Sequence, residues 1–410
     1  MTRNAIRVGG LLLVAALLAW RVLVDGLADF YAGQETPEGA SAALRWRNDQ
    51  PAALYQQALA SSERDPAAAG REFQAAVWAD PTDALAFLGL AELWAGSGRQ
   101  EEARKLVEIA DVLAPMRSPA LARSAAFWLN QNRPDRALER WSMLLRTRPQ
   151  AAGQLYPVLL RLADDPATRS WLRPLLDKPP EWWNGFFAYA AANAERSETV
   201  MFLYQQRNRA GGSPDNAEQR VYLDRLWKEG RWLETYLAWL GGLDERRQQG
   251  LGHLYNGGFE LPVTEMGFDW RLSSPRGVAV ETVETYGTRG GRALHVTFDG
   301  QRVHFQHVYQ PLYLEPGRYQ LQGRVRPERL QAERGLRWRV RCGGPSARVL
   351  VESEPFVGSD DWRMFAADFT VPETDCAVQL LRLELDGRAE LDFEAQGGIW
   401  FDDLAINRRG

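Results

Sequence analysis

The sequence predicts a multidomain chain of α then β class, with an N-terminal membrane helix, an α-solenoid and a C-terminal antiparallel β-sandwich. Three observations lead to this prediction: an apolar run near the N-terminus, a 34-residue repeat in the first half, and a change of composition near residue 250. Before that point Ala, Leu, Arg and Glu recur with helical periodicity, and after it apolar residues alternate with polar ones. A chain of 410 residues is also too long for one average core.

The N-terminal segment has the features of an export signal. Arg3 and Arg7 precede an apolar run over residues 8–20. This run is shorter than the ~20 residues that span a bilayer, but it lengthens if the arginine that follows it extends its side chain to the interface. We interpret residues 1–28 as an uncleaved signal anchor with its N-terminus inside the cell. The alternative is a signal peptide cleaved after Ala28, and both interpretations send the rest of the chain out of the cytoplasm.

Residues 29–49 contain glycine, proline and serine, and they predict a short linker between the membrane and the first folded domain. Helical repeats are predicted over residues 50–250. Breaks between helical pairs are expected at Pro179-Pro180 and at residues 211–214, which read Gly-Gly-Ser-Pro.

The repeat is visible as equivalent residues at a spacing of 34. The equivalent sets include Ala69, Ala103 and Ala137, and also Pro81, Pro115 and Pro149. Small residues such as Ala91 and Ala103 allow two antiparallel helices to touch, and Gly98 makes the turn between them. The pattern resembles the tetratricopeptide repeat. This resemblance implies roughly five or six stacked helical pairs with a concave surface that binds a protein segment.

The C-terminal part, residues 251–410, has the alternation of half-buried strands. One strand is predicted to place Tyr319, Leu321 and Val325 inward and Arg324 and Arg326 outward. A second strand is predicted to place Leu336, Trp338, Val340 and Cys342 inward and Arg337, Arg339 and Arg341 outward. Several such strands separated by Pro-Gly, Gly-Gly and Asp-Gly turns are typical of a β-sandwich.

The chain has two cysteines, Cys342 and Cys376, both in the predicted sandwich. In an oxidising compartment such a pair is most simply a structural disulfide, whereas in the cytosol it would be two buried thiols. The export signal favours the disulfide. The spacing gives no support to redox catalysis or to a zinc site.

Two motifs mark the ends of the sandwich: residues 256–260 (Asn-Gly-Gly-Phe-Glu) and residues 399–404 (Ile-Trp-Phe-Asp-Asp-Leu). With the intervening Asp361-Trp362, they resemble the jelly-roll carbohydrate-binding modules, a branch of the galactose-binding-like folds. The resemblance implies that Glu260 and Asp402 help to hold a structural calcium ion, which carboxylate oxygens suit. The alternative is that both carboxylates cap backbone amides without metal. By the same resemblance, Trp362 is a core residue.

Sugar recognition in such folds requires flat aromatic faces beside polar groups. The candidates are Trp270, and the face formed by Phe305, His307 and Tyr309. The second set faces outward only if the residues between them point inward, with Val308, Leu312 and Leu314 in the core. One β-bulge would exchange the two faces.

One interpretation of the outward arginines of the two alternating strands, represented by Arg324 and Arg339, is a basic patch on adjacent strands that binds an acidic polysaccharide. The alternative is that the arginines are paired with glutamates such as Glu328 and Glu384.

Nothing in the sequence has the pattern of a known catalytic site. Gly-x-Ser-x-Gly, phosphate-loop and dinucleotide motifs are missing. His304 and His307 are three residues apart on a predicted strand, so they face opposite sides and do not share a metal. The net charge of −4 gives no reason to expect a nucleic-acid partner.

The whole architecture resembles tetratricopeptide proteins of bacterial exopolysaccharide and exosortase-type clusters. This resemblance implies a non-enzymatic, single-pass protein of the inner membrane whose bulk is periplasmic. Its solenoid would bind a protein partner and its sandwich a glycan. The alternative function is a pure protein scaffold with no glycan binding, and a more distant one is a glycan-processing enzyme.

Overall fold

The computed structural model describes residues 2–209, 215–344 and 347–410, with the side chains of residues 2–9 and 209 left outside the description. The side chains of the predicted basic flank, Arg3 and Arg7, therefore lie outside the described part. The predicted break at residues 211–214 lies outside it entirely. The chain forms two compact units, Met1–Phe186 and Phe187–Gly410.

The first unit is helical throughout. Its helices are α1 (Thr2–Ala32), α2 (Pro37–Trp46), α3 (Pro51–Ser61), α4 (Pro66–Ala79), α5 (Ala84–Gly96), α6 (Gln100–Leu113), α7 (Ser118–Asn130), α8 (Pro134–Thr147), α9 (Ala152–Asp164), α10 (Arg173–Asp177) and the start of α11 (Trp183–Asn193). Proline begins α2, α3, α4 and α8, where its missing N–H leaves no hydrogen bond unmade.

The predicted repeat is present as helical hairpins, with α3 against α4, α5 against α6, and α7 against α8. The equivalent alanines Ala69, Ala103 and Ala137 are fully buried, so they allow the close helix contact that the spacing predicted. Gly98 turns the chain between α5 and α6 with a φ of +86°. Asn132 occupies the equivalent place between α7 and α8 with a φ of +56°, which asparagine tolerates better than most residues.

The predicted linker over residues 29–49 is wrong as a description of this segment. Residues 29–32 complete α1, and α2 then packs back against it through an alanine cluster. Gly39 permits this contact, because a Cβ there would lie 2.6 Å from the Tyr31 carbonyl oxygen. The helical stack therefore begins within α1 rather than at residue 50.

The second unit contains helices and the sandwich together. Its helices continue with α12 (Ser197–Arg209), α13 (Asn216–Lys228), α14 (Trp232–Gly241) and α15 (Glu245–Gln248). An apolar cluster joins α13 and α14 to the chain that enters the sandwich, with Leu223, Trp239, Tyr255, Phe268 and Val378 buried in it. We predicted that the helices up to residue 250 complete the solenoid. The apolar faces of α13 and α14 are instead covered by the chain that enters the sandwich.

The described part of the sandwich has ten strands: β1 (Arg271–Leu272), β2 (Val278–Glu284), β3 (Arg292–Arg302), β4 (Val308–Leu312), β5 (Gly317–Ala332), β6 (Leu336–Cys342), β7 (Val349–Glu352), β8 (Arg363–Val371), β9 (Gln379–Leu385) and β10 (Glu394–Arg409). Within the described residues they form two antiparallel five-stranded sheets. The first has the order β1-β4-β9-β6-β7 and the second β2-β3-β10-β5-β8.

The core lies between the two sheets. The inward residues predicted on β5 and β6 are confirmed, since Leu321, Val325, Leu336, Trp338 and Val340 are completely buried. A disulfide joins Cys342 at the end of β6 to Cys376 in the loop before β9, with an Sγ–Sγ distance of 2.02 Å.

We expect Ala103→Leu to destabilise the helical unit by ~1–3 kcal/mol, because the closed helix contact leaves no space for the added carbon atoms. Urea unfolding of the full chain would measure this change. Lys105→Leu, which adds a leucine to an exposed position of the same helix, is the matched control. Equal stability of the two variants would show that α5 and α6 are not in close contact at Ala103.

Candidate functional site

The outer face of the first sheet carries a row of polar and aromatic side chains that crosses all five strands. Arg271 on β1 pairs with Tyr309 on β4, and Tyr309 pairs with Arg382 on β9. Arg382 then pairs with Arg339 on β6, and Arg339 with Glu352 on β7. Because side chains alternate along each strand, the residues that flank this row, such as Val308 and Leu383, point into the core.

A cleft of about 560 Å³ lies over the β1 end of this row. The sheet contributes lining residues Arg271, Ser273, Gln306, His307, Tyr309, Leu380 and Arg382, and α13 contributes Asp224 and Trp227. A smaller cavity of about 240 Å³, lined in part by His304, Arg339 and Glu384, shares Gln306 with it. Binding groups therefore continue along the outer face beyond the main cleft.

Arg271 supplies a positive charge to the cleft. Its guanidinium donates to the backbone carbonyls of Asp269 at 2.8 Å and Gly267 at 3.1 Å. Among the described residues, no carboxylate lies within 4.0 Å of it. Burial lowers the pKa of Arg271, but arginine stays protonated at neutral pH. The side chain is therefore fixed in place by backbone carbonyls, and the carboxylates of Asp224, Glu265 and Asp269 act on its charge from a greater distance.

The arginines further along the face are held by one buried carboxylate. Glu384 accepts hydrogen bonds from Arg339 at 2.6 Å, from Arg341 at 2.9 Å and from Arg382 at 2.7 Å. Burial raises the pKa of Glu384, but these hydrogen bonds outweigh burial and hold the pKa below its usual value. Arg339 also contacts Asp386 and Glu352. The interpretation that Arg339 and Arg341 are paired with Glu384 is confirmed.

Charge is close to balanced on this face. Its cations are Arg271, Arg334, Arg337, Arg339, Arg341 and Arg382, and the carboxylates that form ion pairs with them are Glu352, Glu384 and Asp386. Asp224, Glu265 and Asp269 act on Arg271 without forming an ion pair with it.

His307 and Tyr309 do face outward into the cleft, and Val308, Leu312 and Leu314 are buried as that register requires. Burial lowers the pKa of His307, so its ring is neutral at pH 7. Phe305, predicted to share their face, is instead in the core at 1% exposure. It precedes β4, in a segment that does not follow the alternation of the strand.

The prediction that Trp270 stacks on a sugar is wrong. Its side chain is fully buried, and its indole N–H donates to the Asn256 carbonyl at 3.1 Å. The ring lies 5.8 Å from that of Trp338 in the core. Alternation explains the error, because Arg271 faces the cleft and its neighbour must then face inward.

The predicted single basic patch is also wrong. Arg324 lies on β5 in the second sheet, whereas Arg339 lies on β6 in the first, so the two arginines belong to opposite faces of the sandwich. Arg324 is 3.9 Å from both Asp402 and Asp403. Its guanidinium carbon is 5.0 Å from the centre of a Trp362 ring.

Trp362 is consequently a surface residue of the second sheet rather than a core residue. It is partly exposed and donates its indole N–H to the Tyr286 carbonyl at 2.9 Å. Its neighbour Arg326 is 5% exposed and lies within about 5 Å of the rings of Tyr286, Trp362 and Trp400. Arg326 thus makes cation–π contacts with these rings on the outer face of the second sheet.

The two predicted calcium ligands lie together. A Cβ on Gly258 would be 3.8 Å from Oδ1 of Asp402 and 3.9 Å from Cγ of Glu260. Glu260 accepts from the Arg292 amide at 3.0 Å, and Asp402 accepts from the Asp403 amide at 2.7 Å. Both carboxylates therefore cap amides in the structure.

The same two carboxylates also fit a calcium ion chemically. Asp402 is 1% exposed, and burial raises its pKa to about 6. Its only charge-paired cation in the described residues is Arg324, at 3.9 Å. A buried carboxylate with so distant a partner can take a hard divalent cation. The described residues contain no cluster of three or more candidate metal-binding side chains, so backbone carbonyls or water would complete the shell.

Comparison with known proteins finds similar solved structures for the sandwich. No protein-family model and no curated protein sequence matches the chain. Similar solved structures include a CBM4 module, with a TM-score of 0.29 and 15% identity over 38% of this chain and 99% of that one. The CBM22-1 xylan-binding domain of Paenibacillus barcinonensis Xyn10C has a TM-score of 0.26 and 15% identity over 37% of this chain and 91% of that one.

A third similar structure is TmCBM61 in complex with β-1,4-galactotriose, with a TM-score of 0.27 and 17% identity over 39% of this chain and 99% of that one. The C-terminal β-sandwich thus has structural neighbours among carbohydrate-binding modules. The similarity concerns the sandwich and extends to no particular binding residue.

Sequence reasoning missed Arg271, Arg382 and Trp227. Arg271 is in a two-residue strand, which is too short to show alternation. Arg382 had a local signal, because Leu381, Leu383 and Leu385 alternate with Arg382 and Glu384 as the inward and outward residues of a strand do. Trp227 reaches the cleft from a helix, a contact that no local pattern predicts.

We expect Glu384→Gln to destabilise the protein by ~3–5 kcal/mol at pH 7, because it leaves several partly buried arginines without their shared carboxylate. Since the pKa of Glu384 is lowered in the folded state, its stabilisation is complete above the ordinary value of 4.5 and is lost as the pH falls through the folded value. Urea unfolding should therefore show the variant approaching the wild type in acid.

Glu352→Gln is the control for this prediction, because Glu352 is the more exposed partner of Arg339 with 42% of its side chain accessible. Its effect should stay below ~1 kcal/mol. A stability difference for Glu384→Gln that is constant down to pH 3 would contradict the assigned role.

Proposed function

We propose that this protein is a non-enzymatic, membrane-anchored binding protein whose sandwich binds an acidic polysaccharide in the cleft of the first sheet. The observation that carries the proposal is the guanidinium of Arg271, which is held by backbone carbonyls and lies beside Tyr309 in an open cleft. A glycan carboxylate would receive hydrogen bonds from a planar donor that is already in position.

The other lining groups suit a sugar ring. Tyr309 and Trp227 offer aromatic surface for the apolar face of a pyranose, and Gln306, Ser273 and neutral His307 offer hydrogen bonds for its hydroxyls. Arg382 is fixed by Glu384 and adds a second cation at the cleft wall. Because Arg271 and Arg382 both present guanidinium groups to the cleft, a uronate-containing chain suits it better than a neutral one.

The helical unit suits a protein partner. A cleft of about 810 Å³ lies between α4 and α5 and is lined by Phe73, Leu93, Trp94, Arg71 and Arg99, among others. With the apolar N-terminal helix, we place the protein in the bacterial inner membrane with its bulk in the periplasm. A role in the assembly or export of an exopolysaccharide follows from this combination.

The second candidate is a pure protein scaffold without glycan binding. The observation that favours it is the extent to which Glu384, Asp386 and Glu352 already neutralise the arginines of the face.

Binding of matched oligomers of galacturonate and galactose to the detergent-solubilised full chain would test the proposal. We expect tighter binding of the galacturonate oligomer, with an affinity that falls as salt rises. Arg271→Gln should remove most of that difference and flatten the salt dependence. Tyr309→Ala should weaken both ligands at every salt concentration, since ring stacking is not screened.

Arg324→Gln, on the opposite sheet, is the control and should bind as the wild type does. Circular dichroism would establish that Arg271→Gln is folded, because Arg271 also ties two backbone carbonyls. If the wild type binds neither oligomer, the scaffold function replaces the glycan function. Equal binding of both oligomers would contradict the acidic specificity.

We also propose that calcium binds at Glu260 and Asp402 and stabilises the sandwich. Added Ca²⁺ should raise the thermal midpoint of the full chain relative to chelator, and Asp402→Asn should abolish that increase. In chelator the variant should be at least as stable as the wild type, because it removes a buried charge. Asp368→Asn, at an exposed position, is the control. An unchanged wild-type midpoint would show that the carboxylates only cap amides.

A further inference from the structure

The C-terminal end of the apolar helix α1 is part of the helical stack. Ala28 and Ala32 are buried, at 0% and 3% exposure. Asp25 lies 3.4 Å from Arg47, and Asp29 accepts a hydrogen bond from Gln50 at 2.8 Å. The apolar helix is therefore docked on α2 and α3 through several polar contacts, and its direction relative to the stack is fixed.

These contacts also show which edge of the stack faces the apolar part of α1. Helices joined by short connections alternate in direction, so α2, α4 and α6 end at the edge where α3, α5 and α7 begin. The contact between Arg47 and Asp25 places the end of α2 beside the residue at which the apolar run stops. We call this edge, made of the last turns of α2, α4 and α6 and the loops 47–50, 80–83 and 114–117, the anchor edge.

The anchor edge carries large apolar side chains that water would disfavour. The exposed fractions are 40% for Trp46, 86% for Trp78, 80% for Val112 and 54% for Met116. Trp78 and Val112 are equivalent positions of consecutive repeats, and the next equivalent position is Arg146. Among the described residues, the last turns of α3, α5 and α7 at the opposite edge carry one exposed large apolar side chain, Leu59 at 41%. The two edges of the stack therefore differ in polarity.

The anchor edge lies beside the part of α1 where its exposed apolar stretch ends. Residues 10–32 form the apolar candidate span, and residues 10–23 are the exposed part of it that is not docked on the stack. Arg21 is paired with Asp25 at 3.1 Å, and Trp20 precedes it, a combination typical of the headgroup region. Trp20 and Asp25 are five positions apart, which corresponds to about 7.5 Å along a helix. The interfacial layer of a bilayer is ~5–8 Å thick on each side.

We propose that the anchor edge lies on the bilayer that α1 crosses, with Trp46, Trp78 and Val112 inserted into its interface. Tryptophan is favoured there because its ring is apolar and its N–H is polar. The helical unit is then held against the membrane by its own repeats as well as by α1. This arrangement requires an intact α1, because cleavage after Ala28 would remove Asp25 and cut a helix that is docked in the fold. The inference rests on the membrane anchoring of the proposed function and is independent of the glycan ligand.

The full chain reconstituted in lipid nanodiscs would test this proposal. The two native cysteines are joined to each other, so an engineered thiol can be labelled specifically. Val112→Cys labelled with an environment-sensitive fluorophore should be quenched several-fold more strongly by lipids that carry a spin label near the headgroup than by unlabelled lipids. Trp78→Cys should behave in the same way.

Ser97→Cys, an exposed position in a turn at the opposite edge, is the matched control and should show little quenching. Equal quenching at Val112 and Ser97, or none at either, would overturn the proposal. So would protection of the Val112 label that depends on protein concentration and not on lipid, since a second copy would then cover the edge. Intact mass must also retain residues 1–28, because loss of that segment would contradict the requirement for α1.

Discussion

The candidate binding face depends on the carboxylate of Glu384. Arginines on neighbouring strands would repel one another if they were packed without a counter-charge. One buried carboxylate that accepts from Arg339, Arg341 and Arg382 offsets that repulsion and holds the three side chains. Arg271 lies outside this network and is held by carbonyls. The network thus separates arginines that share a carboxylate from the one that is held by the backbone beside the cleft.

Strand periodicity predicted the inner and outer faces well but did not predict the pairing of strands. Leu336, Trp338 and Val340 are buried because a period of two residues is a local property of the chain. Arg324 and Arg339 were assigned to one patch because they are close in sequence, yet β5 and β6 belong to different sheets. Which sheet a strand joins depends on contacts with strands far away along the chain, and no local pattern contains that information.

The helical part shows the same limit in another form. The 34-residue spacing predicted the hairpins, the buried alanines and the turn at Gly98, since each repeat packs only against its neighbours. Composition alone misassigned residues 29–49. Pro37 begins α2 and Gly39 allows it to approach α1, so residues that are typical of a linker serve a close helix contact here. The position of Ala40 and Ala43, one turn apart, was the signal for that contact.

The docking of α1 on the helical unit affects how the apolar side chains of the anchor edge can be kept from water. A flexible linker would let the helical unit tumble away from the bilayer, and its exposed apolar residues would then favour association with other proteins. The contacts of Asp25 and Asp29 with α2 and α3 prevent that tumbling, because several would have to break together. In the proposed arrangement, insertion of α1 therefore also meets most of the entropic penalty of bringing Trp78 and Val112 to the interface. Each further apolar contact then adds to membrane affinity without a new ordering penalty of comparable size.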